Sequence, residues 1–320
     1  MQFRAEKAGG RRNMNMKKVL FFLMILALCL TLTGCSVLGA VSGRRYDQAD
    51  RYHAGSFTYA ATDVRKVDIN WVSGTVNLRE ADGETLSVTE DAAGLSTAQQ
   101  MHWLLDGDTL RIQFCKSGYS GSIPGKKLVT VEIPREIALQ ASVTSGTVLM
   151  GSHTLQSLDA GCTSGSIEAG ELQVSGELKA GCTSGSIHIG NTKAGSVSLG
   201  ATSGSLTAAL LDAGSDFSAG CTSGRITVEA VKADSVKAAS TSGDMHLGLY
   251  QCGSAEIGAT SGDIRLTIPA GQGVTVDFGT ASGRLNGQKV QTHSERVVLG
   301  DGSCPVKVGT TSGSLTIEEK

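Results

Sequence analysis

Two carboxylates between two guanidinium groups recur at a regular step late in the chain. Arg225, Asp244, Asp263 and Arg284 each directly follow a glycine, at Gly224, Gly243, Gly262 and Gly283. If the segments that carry them stack as neighbouring strands, adjacent members lie about 5 Å apart. That is the separation of the paired carboxylates in retaining glycoside hydrolysis. Such chemistry also needs a cleft and loops that hold a substrate, and these segments are too uniform in length to supply one. The column reads as a surface charge ladder and a candidate contact surface, and no catalytic residue is assigned.

A second reactive group is the thiol of Cys35. Lys17 and Lys18 precede an apolar run over 19–32, which ends in Leu32-Thr33-Gly34-Cys35. The run is short for a membrane span, which takes about 20 residues, and has the order of a processed export signal. Leu-Thr-Gly-Cys resembles the lipobox of bacterial lipoproteins. The resemblance implies cleavage after Gly34 and a lipid on Cys35, hence a signal peptide over 1–34, a membrane-lipid partner through Cys35, and an extracytoplasmic, lipid-anchored chain. Met16 fits the start of such a signal better than Met1.

The remaining candidates carry less. His188 and His246 lie three residues past their glycines and three rungs apart, about 14 Å by strand spacing, too far for one metal ion. They read as solvated surface residues, as does His102. Of the eight cysteines, Cys29 leaves with the signal and Cys35 takes the lipid. Cys162, Cys182 and Cys221 share one position of a repeat. Parallel side chains about 4.8 Å apart miss the usual disulfide Cβ separation of about 3.8 Å, so the three read as buried free thiols. The redox state of Cys115, Cys252 and Cys304 stays open. No Cys-x-x-Cys or paired histidine marks a metal site, and no motif implies a cofactor.

These residues are positioned by one repeating unit. Thr-Ser-Gly ends at Gly146, Gly165, Gly185, Gly204, Gly224, Gly243, Gly262 and Gly313, with Ala-Ser-Gly at Gly283. The intervals are 19, 20, 19, 20, 19, 19, 21 and 30 residues, a period that marks a solenoid. Seven, five and three residues before the glycine the side chains are apolar or small, as in Leu158, Ala160 and Cys162. Two residues after it they are apolar throughout, from Val148, Ile167 and Ile187 to Leu285 and Leu315. Alternation at period two on each side of Ser-Gly predicts two strands that bury one face, joined at a corner. Glycine allows that corner, and the hydroxyls of Thr and Ser satisfy its backbone.

An earlier copy sits at Ser73-Gly74, with Val67, Ile69 and Trp71 before it and Val76 and Leu78 after it. Between this copy and Gly146 the pattern predicts strands at 85–89, 101–105, 110–114 and 128–133, the middle pair forming a hairpin over Asp106-Gly107-Asp108. The expected fold is therefore all-β: a flexible tether over 35–60, an N-terminal β cap region with a first rung over 61–135, and a parallel β-solenoid over 136–320. The insertion 287–303 is expected to close the far end, with a last rung ending in the charged tail Glu318-Glu319-Lys320.

The lipobox, the early Ser-Gly rung, the Leu128-Val-Thr-Val-Glu-Ile-Pro134 strand and the serial Thr-Ser-Gly-x-Ile/Leu rungs together resemble the bacterial putative-adhesin family of unknown function. The resemblance covers about 61–320 and implies a parallel β-solenoid on a cell-surface protein. It brings no catalytic residues. A net charge of −2 with no basic stripe argues against nucleic acid as a partner. The expected role is a non-enzymatic cell-surface scaffold for an extracellular or envelope protein or a glycan. An envelope structural or sensory lipoprotein is the alternative, and a polysaccharide-acting enzyme is less supported.

Overall fold

The computed structural model describes residues 45–290 and 294–320. The chain forms two compact units, one ending at Ala194 and the other starting at Gly195. The expected signal peptide over 1–34, the expected lipid site Cys35 and residues 36–44 lie outside the described residues.

The first unit contains β1 (His53–Ala54), β2 (Phe57–Ala60), β3 (Lys66–Glu80), β4 (Thr85–Glu90), β5 (His102–Asp106), β6 (Thr109–Gln113), β7 (Leu128–Ile133), β8 (Ile137–Met150), β9 (His153–Ala169) and β10 (Leu172–Ile189). β3, β8, β9 and β10 stack in parallel with every repeat position in register, so that Gly74 faces Gly146, Gly146 faces Gly165 and Gly165 faces Gly185. The inward columns are buried as expected, including Val67, Ile69, Trp71 and Val76 of the early copy and Val148, Ile167 and Ile187 after the glycines. The corner is a bend within one strand: pairing continues through Ser-Gly in each of these rungs.

Glycine is required at that bend for two reasons. Gly165 has φ +152°, where L side chains are rare, and a Cβ there would lie 1.9 Å from the carbonyl oxygen of Gly146. The glycines stack carbonyl onto Cα from rung to rung, so each leaves space for its neighbour as well as for its own turn.

Rung order departs from chain order at the start. β6 pairs in parallel with the first half of β3, and β7 with the second half. Together they form an interrupted rung outside β3 although they follow it in sequence. Antiparallel β5 and β4 flank β6 and β7, and β1 and β2 pair onto β5 and β4. Residues 45–60, expected to be part of a tether, are therefore built into the fold. Their strands are two and four residues long, too short for the alternation that betrays the others.

The second unit holds most of β11 (Thr192–Asp212), then β12 (Asp216–Ser242), β13 (Met245–Ser261), β14 (Ile264–Ile268), β15 (Val274–Ser282), β16 (Arg284–Leu285), β17 (Gln288–Lys289), β18 (Ser294–Leu299), β19 (Cys304–Ser312) and β20 (Leu315–Glu319). β11, β12 and β13 stack in parallel and in sequence. The last rung does not end the stack. β19 lies between β13 and β15, and β20 pairs with both β14 and β16. The Gly313 rung is thus wedged between those of Gly262 and Gly283, which corrects the expectation that it comes last. β18, from the insertion, pairs antiparallel on the outer side of β15.

Charge register favours this order. Six residues before the glycines, Lys237, Glu256, Lys307 and Asp277 stand opposite one another in that sequence, and Arg296 of β18 follows. Lys307 Nζ lies 3.9 Å from Glu256, and Arg296 makes a two-pronged contact with Asp277 at 2.5 and 3.0 Å. Stacking in chain order would set Glu256 against Asp277. Opposite charges directly across a pair favour it by about 0.2–1 kcal/mol, and like charges oppose it. A disulfide between Cys252 and Cys304 also ties the Gly262 rung to the Gly313 rung.

Candidate functional site

The column that begins at Arg225 is placed by the residue after each glycine, which points outward because the next residue is buried. Arg225 Nη2 lies 3.8 Å from Asp244 Oδ2, with side chains 69% and 56% exposed. Asp244 Oδ1 accepts the backbone N–H of Asp263 at 3.0 Å, and Asp263 Oδ1 accepts the N–H of Ser314 at 2.8 Å. The wedged rung therefore inserts Ser314 between Asp263 and Arg284, so the expected run of four consecutive charges is broken. Strand pairing lapses at Gly243-Asp244 and Gly262-Asp263, and these carboxylates carry hydrogen bonds between rungs at the lapse. Each keeps spare acceptor capacity facing solvent.

The histidines separate by environment. His188 is exposed. His246 is half-buried with Nε2 3.0 Å from Thr267 Oγ1, and burial, with Arg265 nearby, holds it below the usual imidazole range. His102, expected on the surface, is buried, with Nδ1 3.0 Å from the Gln100 carbonyl, and burial lowers its pKa. Hairpin strand β5 lies between β1 and β6, which covers a position that its polar sequence placed outside. Among the described residues, no three His, Cys, Asp or Glu side chains gather to hold a metal ion.

Cys162 and Cys182 form a disulfide, which overturns their reading as free thiols. Their Cα atoms are 4.7 Å apart, inside the range that a bridge spans. The side chains converge across the ladder, whereas the spacing argument had kept them parallel. Cys221 and Cys115 are buried free thiols, both with pKa raised by burial.

One buried ionic site has no signature in the sequence. Lys127 Nζ sits 2.5 Å from Glu90 Oε1 and 2.7 Å from the Gln99 carbonyl, and also contacts the Phe114 carbonyl. Its charge lies 4.4 Å from the Phe114 ring centroid and 5.0 Å from that of Trp71. Glu90 Oε2 accepts the N–H of Met101 at 2.7 Å. Both charges are buried, and burial pulls the Lys127 pKa down although Glu90 opposes it. The Lys127 carbonyl takes the place of a rung glycine's, accepting the N–H of Thr75 at 2.8 Å. The pair fills the end of the core above Trp71, where the stacked columns stop. Only Trp71, the one aromatic residue three places before a rung glycine, hinted that this rung differs.

Parallel strands in register, a buried column on each side of a glycine bend and an outward face of charges and hydroxyls define an all-β repeat protein of solenoid type. The chain belongs to the Toastrack DUF4097 family, whose profile matches residues 64–318. Among solved structures it is similar to a putative adhesin of Bacteroides fragilis NCTC 9343, at 13% identity over 88% of this chain and 100% of that one, TM-score 0.36. A putative adhesin of Parabacteroides distasonis ATCC 8503 is 16% identical over 88% of this chain and 100% of that one, TM-score 0.40. A putative cell adhesion protein of Clostridium sporogenes ATCC 15579 is 10% identical over 84% and 100%, TM-score 0.22. No curated protein matches the sequence.

Proposed function

We propose that the protein is a non-enzymatic scaffold, anchored by lipid at Cys35 and displayed outside the cytoplasm, that binds an envelope or extracellular protein or a glycan through its outward columns. The observation that carries this reading is the exposed Arg225–Asp244–Asp263 column. Its members stand on successive rungs, and where strand pairing lapses at Asp244 and Asp263 their carboxylates bond to the next rung, with Arg225 beside Asp244. A rigid surface that loses little side-chain freedom on docking suits recognition. The two disulfides support an oxidising compartment, since such bonds are rare in the cytosol. Among the described residues, no helix is long and apolar enough to cross a membrane.

Two measurements test this reading. Cys35→Ala should release the protein from membranes into the soluble fraction, and retention as an integral membrane protein would reject the lipid anchor. A screen of the mature chain against glycans and envelope proteins should find a ligand whose affinity drops at least tenfold in Asp244→Lys/Asp263→Lys. A ligand indifferent to that change would remove the column from the reading.

A further inference from the structure

The described chain begins beside an aromatic cluster at the outermost layer of the first unit. Tyr46 is fixed there: its hydroxyl donates to the Cys115 carbonyl and its backbone N–H to Ser117 Oγ, both at 3.1 Å. Its ring lies 4.5 Å from that of Tyr52. The next residue, His53, stands opposite Trp103 on β5, with ring centroids 5.0 Å apart. Phe57 stacks on Trp103 at 3.9 Å with an interplanar angle of 22°. His53 is exposed, and Tyr52, Phe57 and Trp103 are partly exposed. Among the described residues, β1 pairs with β5 alone and β2 with β4 alone.

The position of this cluster along the chain suggests what covers it. Cys35 precedes Arg45 by ten residues, and ten residues span at most about 35 Å. An acyl-bearing Cys35 therefore holds this end of the first unit within that reach of the bilayer. Tryptophan and tyrosine rings, apolar with one polar edge, settle at the level of lipid headgroups. Tethering makes contact with the bilayer intramolecular, so weak insertion is enough. Over 44–51 the sequence carries Arg44, Arg45 and Arg51 against Asp47 and Asp50, a surplus of a single positive charge, so insertion of the rings rather than attraction to anionic lipid carries the contact.

We propose that Trp103, Phe57, Tyr52 and His53 form a membrane-contact surface that seats the first unit on the headgroup layer of the membrane holding Cys35. The proposal rests on the lipid-anchor reading above. Seating would fix the orientation of the unit at the membrane, where a free tether would let it rotate.

The test uses the full lipidated protein in phosphatidylcholine vesicles, with and without acyl chains brominated near the carbonyl. Trp71 is fully buried and supplies a constant background, and Trp103→Phe identifies the Trp103 signal. Emission from Trp103 should shift to the blue and lose most of its intensity in brominated vesicles, equally at low and high salt. Vesicle flotation and the mass of Cys35 are scored first. Protein that floats but shows no quenching overturns the membrane contact and leaves the anchor standing. Protein that does not float, or carries no acyl group, overturns the anchor and the contact together. A shift that follows protein density and ignores bromination assigns the cluster to contact between copies and also overturns the proposal.

Discussion

Gly165→Ala isolates the steric argument for the rung. The added methyl would lie 1.9 Å from the Gly146 carbonyl oxygen and 2.9 Å from its carbonyl carbon and nitrogen, whereas real Cβ contacts stay beyond 3.0 Å. The obstacle is backbone held in a parallel ladder on both sides, so it cannot swing aside as a side chain would. The residue would also keep φ near +152°. A strained backbone position costs about 1–3 kcal/mol, and overpacking a similar amount. Taking about 3 kcal/mol in all, and about 2–4 °C per kcal/mol for a chain of this size, Tm should fall by about 6–12 °C. Gly151→Ala is the control: nothing lies within 4 Å of its Cβ position, so the change should stay within about 0.5 kcal/mol. Thermal unfolding of both variants by circular dichroism is the assay. Equal melting temperatures for the two would refute the stacked-glycine account.

Other perturbations probe different parts of the chain. Ile226→Asp buries an unpaired charge at a fully enclosed position and should abolish cooperative unfolding or cost several kcal/mol, so an unchanged melting curve would reject its inward placement. Lys127→Met leaves Glu90 buried without its cation and should cost about 3–5 kcal/mol, with Lys127→Met/Glu90→Leu recovering much of it; a double variant no better than the single would reject the coupling. Acid should destabilise the fold below pH 6.5. Burial holds His102 and His153 below their ordinary pKa, so the unfolded chain takes up protons first and stability falls as pH drops from 6.5. Denaturant midpoints at pH 7 and pH 5.5 should differ, and His153→Gln should reduce the difference.

The inward columns were legible because each rung repeats the same vote: Leu158, Ala160, Cys162 and Ile167 have a counterpart in nearly every turn, and all are buried. Periodicity fixes which position of one rung faces which position of the next. It does not say which rung is next, and so the wedging of the Gly313 rung escaped it, although Lys237, Glu256, Lys307 and Asp277 carried the information in their signs. Pairing of Cys162 with Cys182 was missed because idealised parallel side chains were kept from converging. Lys127 and Glu90 occur once each and are 37 positions apart by sequence number, so no pattern could join them before the fold did. The charge column was found from its spacing, but its use as a bridge between rungs at Asp244 and Asp263 depends on local lapses in pairing that composition does not reveal.

The reversed order of rungs constrains how this chain can change length. A simple stack could gain or lose turns at either end by duplication or deletion of about twenty residues. Here β6 and β7 pair onto β3 although β4 and β5 come between them in sequence, and β19 lies between β13 and β15 although it follows both. A stop codon ahead of Cys304 would remove β19, the parallel partner that β15 has among the described residues, and leave Cys252 without its bridge. New turns fit within the sequential runs β8–β10 and β11–β13, where each strand docks on the one made before it. Variation in length should therefore be sought inside these runs, within each unit.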